Sequence, residues 1–420
     1  MTFTRIRESR SRRERRVTRA TARAAAPAAN PVPATATKSA EVVCCDLFAG
    51  AGGFSLGAHL AGLTVAAAVE WNTHASSTYR RNLIDSGLTE TSLFRADIVD
   101  LSPVELQRSS VLAKKHCDIL LGGPPCQGFS AHRLKDAGVR DPRNDLLLRY
   151  FEYVRILRPT FFLVENVPGL LWPKHRDFLD AFYELAESSG YTALDPVIIN
   201  ARDYGVPQNR RRVFILGFDR ARVANPPKDW PPAPTHVGPG SEQKLPRWPS
   251  AKIAFKQAPP RDTNNVHMNH SADLRETFAK TPKNGGSRKD SGRVLPCHED
   301  HIGHHDVYGR INPAFPAPTM TTACINPSKG RFVHPTQNHG ITLRQAARIQ
   351  SFPDWFVFDG GLMAGGVQVG NAVPVLLAKA LLSALKDAVL ALREVPSSGD
   401  PVSTGRSVGY SAGGRRHENA

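Results

Sequence analysis

The sequence predicts an α/β fold: a mostly parallel, doubly wound sheet with a second, smaller, loop-rich domain. Two observations predict the sheet. From residue 41 to 217, short continuous apolar runs alternate with helical patterns of 10–15 residues, as in strands buried on both faces. The first run ends in a glycine-rich turn, the usual first strand-to-helix connection of such folds. A third observation predicts the second domain. After Phe218 the chain turns rich in Pro, Gly, His and Asn, with few helix signals.

Residues 42–48 are a continuous apolar strand, 49–53 the turn, and a helix follows through Leu60. A second strand, 63–69, ends at Glu70-Trp71, and a helix runs on through Asn82. A short segment reaches Asp97, closing a third strand, and 117–121 forms the next. Residues 144–157 have helical period, 160–164 read as a strand and 175–188 as a helix, and 191–200 and 212–217 close the block as strands. Prolines crowd residues 225–262. Helical pattern returns at 342–351, then at 372–393, with Pro374 near the first turn and Asn371 placed to cap it. The expected division is a disordered basic arm (1–40), a catalytic and cofactor-binding domain (41–219), a small target-recognition domain (220–365, scaffolded by 341–358), a returning helix (366–394) and a disordered tail (395–420).

With 41% hydrophobic and 22% charged residues, the 420-residue chain has a globular composition. Nine arginines and Lys38 against Glu8 and Glu14 concentrate half of the formal charge of +16 in the arm. A basic balance favours a polyanionic partner. The six cysteines show no CxxC spacing, which fits a reducing cytoplasm. Cys297-His298 with His301, His304 and His305 has metal-ligating residue types, but no second pair sits at finger spacing, so no metal is expected. No apolar stretch is long enough to span a membrane.

Chemistry concentrates where strands end. Gly122-Gly123-Pro124-Pro125-Cys126-Gln127 follows the 117–121 strand, so the Cys126 thiol projects from the carboxyl end of a buried strand, behind two prolines that fix φ. A structural cysteine would sit inside the apolar run. Gly50, Gly52 and Gly53 let a ligand approach the backbone, although the turn does not supply GxGxxG. Glu70 stands where such folds grip ribose hydroxyls, and Trp71 could stack on an adenine. With Asp97 they point to a nucleoside-bearing cofactor. The plainer alternatives are core packing for Phe48 and Trp71, and a surface salt bridge for Glu165 at the end of the 160–164 strand.

Asp46-Leu47-Phe48-Ala49-Gly50-Ala51-Gly52-Gly53 and Pro124-Pro125-Cys126-Gln127 together resemble the cytosine-C5 DNA methyltransferase family. So do Glu165-Asn166-Val167, Gln208-Asn209-Arg210-Arg211-Arg212, residues 344–353 (RQAARIQSFP) and Gly370-Asn371-Ala372-Val373-Pro374, in the family's order from about residue 42 to 390. The resemblance implies a class I methyltransferase sheet of Rossmann type and S-adenosylmethionine as methyl donor, leaving S-adenosylhomocysteine. It implies that Cys126 adds to C6 of cytosine, that Glu165 contacts N3 and the exocyclic amine, and that Arg210 and Arg212 bind the base carbonyl and steady the thiol loop. The cofactor would lie over Phe48, Gly50, Gly52 and Gly53, with its ribose on Glu70 and its adenine near Trp71, Asp97 and Ile98. Pro124, Leu146, Asn371 and Val373 match further contacts.

A cytosine inside a duplex cannot present its ring face, so it must be swung out, and residues 127–143 are suited to closing over it. The partner implied is double-stranded DNA, with a cognate restriction endonuclease as a second candidate and a monomer as the expected state. Gly285-Gly286-Ser287-Arg288 and Tyr308-Gly309-Arg310 are candidate DNA contacts or solvated loops. Two other classes stay open: a cytosine methyltransferase acting on transfer RNA, and a non-catalytic DNA-binding relative.

Overall fold

The computed structural model describes residues 41–124, 142–292 and 307–394. The expectations for Cys126, for 127–141 of the closing loop, and for Cys297 and its neighbouring histidines lie outside them. The strands are β1 (Val43–Leu47), β2 (Thr64–Val69), β3 (Ser92–Phe94), β4 (Ile119–Gly122), β5 (Phe161–Asn166), β6 (Tyr191–Ala193), β7 (Val197–Asn200) and β8 (Arg211–Asp219). The helices are α1 (Gly53–Leu60), α2 (Thr73–Tyr79), α3 (Pro103–Arg108), α4 (Pro142–Leu157), α5 (Arg176–Ser188), α6 (Ala272–Lys280), α7 (Leu343–Ile349), α8 (Gly361–Asn371) and α9 (Val375–Glu394).

All eight strands form one sheet in the order β3-β2-β1-β4-β5-β8-β6, with β7 also paired to β8. β3, β2, β1, β4 and β5 are mutually parallel, while β8 runs antiparallel to β5. The carboxyl ends of the first five strands and the amino end of β8 therefore share one edge. Alternation sorts the apolar side chains to two faces. Cys44, Ile119, Leu121, Phe161 and Leu163 pack with Leu377, Leu381 and Leu385 of α9. Cys45, Leu120, Phe162 and Val164 pack with Tyr150, Phe151 and Val154 of α4 and Phe182 of α5.

Close packing sets several small residues. A Cβ at Gly57 would lie 2.4 Å from Ala378 Cβ, so this glycine lets α1 and α9 meet. α1 ends where Gly62, at φ 76°, lets Leu63 N–H reach the Ala58 carbonyl and Gly62 N–H reach that of His59.

Two elements differ from the sequence expectation. The single strand over 191–200 is broken. β6 pairs Ala193 with Gly217, but β7 pairs Val197 with Phe214, so the edge strand holds one extra residue in a bulge at Leu194-Asp195-Pro196. Pro196 has no N–H to offer the ladder, which explains the break. The long last helix starts at Val375, and a separate helix, α8, precedes it, so Asn371 ends α8 and does not cap α9.

The loop-rich stretch beyond Asp219 builds a third core. Ile311, Met320, Ile325, Phe332, Leu343, Ala347, Phe352, Phe356 and Phe358 cluster with Ala49, Leu56, Tyr79 and Leu83 from the sheet's turns and helices. α7 opens with a capping box, Thr342 to Gln345. Its Arg344, 1% exposed, forms a bidentate pair with buried Asp262, at 2.6 and 3.0 Å.

Candidate active site

The turn after β1 is held open by its backbone. Phe48, Gly50 and Gly52 have φ of 61°, 56° and 95°. A Cβ built on Gly50 meets nothing within 4 Å, so this glycine faces free space. Glu70, at the end of β2, accepts from Gly50 N–H at 2.8 Å and from Asn72 N–H at 2.7 Å, which fixes its carboxylate beside that space. Burial raises the Glu70 pKa, while the backbone N–H groups of Asn72, Gly50 and Trp71 act the other way. Trp71 is 69% exposed, which removes core packing as its explanation. Phe48 is half-buried, and its ring packs on the α4 side of the sheet.

Of the other expected cofactor residues, Asp97 is exposed and accepts from Val99 N–H. Ile98 is buried, its carbonyl held by Arg149. Leu146 packs half-buried on α4. The structure brings the last motif to the first: a Cβ at Gly53 would lie 2.4 Å from the Val373 carbonyl oxygen, so the 371–374 strip lies directly on the start of α1. Asn371 is exposed there and Val373 buried.

The other half of the edge is charged. Glu165 projects near the end of β5, and Arg212 Nε, across on β8, stands 2.9 Å from its Oε1. Both side chains are nearly buried, at 13% and 12% exposed. A Cβ at Gly123 would be 3.5 Å from Glu165 Oε2, so the chain leaving β4 passes directly beside this carboxylate. Asn166 Nδ2 approaches the carbonyl of buried Pro124 at 3.4 Å. Cys126 is two residues further on. The sheet edge thus carries a glycine cradle with a fixed carboxylate and, two strands away, a carboxylate–guanidinium pair beside the strand that leads to the thiol.

The sequence profile described as C-5 cytosine-specific DNA methylase matches residues 42–387. The chain belongs to this family. It is 34% identical to type II methyltransferase M1.HphI of Haemophilus parahaemolyticus over 349 residues, 81% of this chain and 85% of that one. It is 32% identical to type II methyltransferase M.XorII of Xanthomonas oryzae over 381 residues, 84% and 86% of the two chains. Among solved structures, a DNA modification methyltransferase described as encoded within an E. coli prophage matches with a TM-score of 0.64 at 26% identity, over 83% of this chain and 99% of that one. S. pombe Dnmt2 methyltransferase shares the fold, with a TM-score of 0.53 at 16% identity, over 83% and 99%. The strand order is that of a class I methyltransferase, as the Rossmann-type expectation required.

In this DNA (cytosine-5-)-methyltransferase, the Gln208–Arg212 motif clamps the third core to the sheet. Arg210 is 1% exposed, and its guanidinium donates to the carbonyls of Met320 (2.8 Å), Gly370 (2.8 Å) and Ala372 (3.1 Å). Burial, with the nearby Arg212 charge, pulls its pKa down to about 9. Gln208 adds bonds to Gln350 Oε1, the Ile349 carbonyl and Met320 N–H. Arg210 therefore works on backbone, and Arg212 is the arginine that meets Glu165. Arg310 is likewise no surface contact. It is 1% exposed and donates to the carbonyls of Thr281, Phe278, His334 and Gln337.

Sequence reasoning passed over three polar residues behind the cradle. Ser55 Oγ donates to Asp46 Oδ2 at 2.6 Å, and Tyr79 O–H donates to Ser55 Oγ at 2.8 Å. Burial lifts the Asp46 carboxyl to a pKa of about 7, against the Ser55 bond and with the help of the Glu70 charge. The only sequence signal was an aspartate inside an otherwise apolar strand. Among the described residues, no group of three or more His, Cys, Asp or Glu could hold a metal, and no helix is long and apolar enough to cross a membrane.

Proposed function

We propose that this enzyme methylates C5 of a cytosine swung out of a specific duplex sequence, using S-adenosylmethionine and a transient bond from Cys126 to C6. One observation carries this reading. The glycine cradle with Glu70, the outlet of β4 toward Cys126, and the Glu165–Arg212 pair all open on one sheet edge. The cradle suits the cofactor: open space over Gly50 would admit it, and the Glu70 carboxylate, pinned by two N–H groups, is placed to accept from ribose hydroxyls. Exposed Trp71 offers a ring to the adenine, with Asp97 and Ile98 on the next turn. Pro124, Leu146, Asn371 and Val373 complete the contacts at the methionine end.

The cofactor supplies an electrophilic methyl on a sulfonium. The protein's task is to make C5 nucleophilic. The Cys126 thiolate attacks C6, and electron density moves through the ring to C5 while charge gathers at N3 and O2. Glu165 holds a proton at N3 and accepts from the exocyclic amine. Arg212 orients Glu165 and lies within reach of the base carbonyl, while Arg210 fixes the backbone on which both arginines stand. After transfer the C5 proton leaves to water, the Cys126–C6 bond breaks and the thiolate is restored. Residues 220–365 supply target recognition, on the scaffold 341–358, and the arm 1–40 adds affinity for phosphates. The type II names of the relatives support a role beside a cognate restriction endonuclease.

Bisulfite sequencing of DNA from cells expressing this chain should reveal 5-methylcytosine in one sequence context, and none with Cys126→Ala. Methylation persisting in that variant would remove the nucleophile assignment. Label appearing in transfer RNA and not in DNA, in parallel assays with labelled cofactor, would overturn the duplex substrate.

A further inference from the structure

The glycine turn is strained, and something must hold its shape. Phe48 lies at φ 61°, which a side chain tolerates only where its surroundings over-determine it. Beneath the turn runs the chain Tyr79–Ser55–Asp46, with side chains 0%, 0% and 1% exposed. Its geometry brackets the turn. Asp46 is two residues before Phe48 on β1, and Ser55 sits in the first turn of α1, so the 2.6 Å bond between them closes a loop around the cradle.

Tyr79 adds the third side. Its ring edge closes on Gly52, where a Cβ would lie 2.9 Å from Tyr79 Cδ2 and 2.8 Å from Leu83 Cδ1. Tyr79 ends α2, whose N-cap is Asn72, the residue whose N–H holds Glu70. One hydrogen-bonded chain therefore spans the glycine turn and the helix that starts beside the ribose carboxylate. Burying three polar side chains in a sheet core costs desolvation that aliphatic residues would avoid, and a fully satisfied polar chain returns a single rigid arrangement.

We propose that Tyr79, Ser55 and Asp46 are positioning residues for S-adenosylmethionine: they lock the left-handed turn and the Glu70 carboxylate into the binding geometry before the cofactor arrives. This rests on reading the turn as the cofactor cradle. None of the three touches the cofactor, so their effect falls on its affinity and not on the chemical step.

The test is calorimetric titration of the full-length enzyme with S-adenosylmethionine, alongside kcat, KM and melting temperature. Tyr79→Phe removes only the hydroxyl and should raise the cofactor Kd by about tenfold, the worth of one buried hydrogen bond. Values of kcat at saturating cofactor and of Kd for duplex DNA should stay within about twofold. Ser55→Ala should act alike, and Tyr79→Phe/Ser55→Ala should be no weaker than the weaker single variant, because both break the same chain. Asp46→Asn, which keeps an acceptor for Ser55, should bind within about threefold of wild type. Cofactor Kd unchanged in Tyr79→Phe, or losses that simply add in the double variant, would overturn the proposal. If wild type binds S-adenosylmethionine and the variants bind equally well, this proposal alone falls. If wild type does not bind it, the cradle reading falls as well.

Discussion

The two halves of the reactive sheet edge are built from different materials. The cofactor half, after β1 and β2, is made of backbone: left-handed glycines, N–H groups on Glu70, and a carbonyl of Val373 against Gly53. The base half, after β4 and β5, is made of charged side chains, with Glu165 against Arg212 and both nearly buried. Shape controls the first and charge controls the second. The halves should therefore fail in different ways, one losing affinity for the cofactor and the other losing rate.

Glu165→Gln should give the largest effect. It keeps the shape but cannot hold a proton at N3 or pair with Arg212, so kcat should fall by about 10²–10⁴-fold. Cofactor affinity, read by calorimetry, should not change. A comparable loss of cofactor binding would mean that the halves are not separable.

Gly53→Ala attacks the other half. The new Cβ would sit 2.4 Å from the Val373 carbonyl, so the 371–374 strip must move. A stability loss of about 1–3 kcal/mol in urea unfolding is expected, together with a higher cofactor KM and a kcat close to wild type at saturation. A collapse of kcat with unchanged KM would contradict the division.

The third effect falls on the pH dependence of stability and not on catalysis. Burial lifts the Asp46 carboxyl from its ordinary value of 3.8 to about 7 in the folded protein. The folded protein keeps this proton where the unfolded chain has released it, so Asp46 favours folding below about pH 4. That contribution is lost as pH rises toward 7. Asp46→Asn removes it. Across this window the stability of wild type relative to Asp46→Asn should fall by an amount on the order of 4 kcal/mol, read from urea midpoints at several pH values. A difference that does not change with pH would show that Asp46 is not the titrating group.

The same contrast explains what was legible in the sequence. Strand ends carrying glycine, Glu70 and Glu165 announce themselves because polar residues interrupt apolar runs, and the parallel sheet follows from the spacing of those runs. α8 does not announce itself. Its Gly365, Gly366 and Gly370 weaken the helical pattern that would set it apart from the helix that follows, yet Gly370 is glycine because a Cβ would meet the Thr321–Thr322 backbone at 2.3 Å. Arg210 reads as an arginine on the base and Arg310 as a DNA contact or part of a solvated loop, yet both prove to be buried clamps on carbonyls, since linear sequence does not show which arginines find oxygen partners inside. The Tyr79–Ser55–Asp46 chain joins three elements, so no local pattern could reveal it.

The central claim is a covalent bond to the pyrimidine. Incubating the enzyme and S-adenosylmethionine with a duplex carrying 5-fluorocytosine at the target blocks release, because fluorine cannot leave as the C5 proton does. Intact-mass and peptide analysis should then show one oligonucleotide attached at Cys126. No adduct, or an adduct at a different residue, would contradict the account.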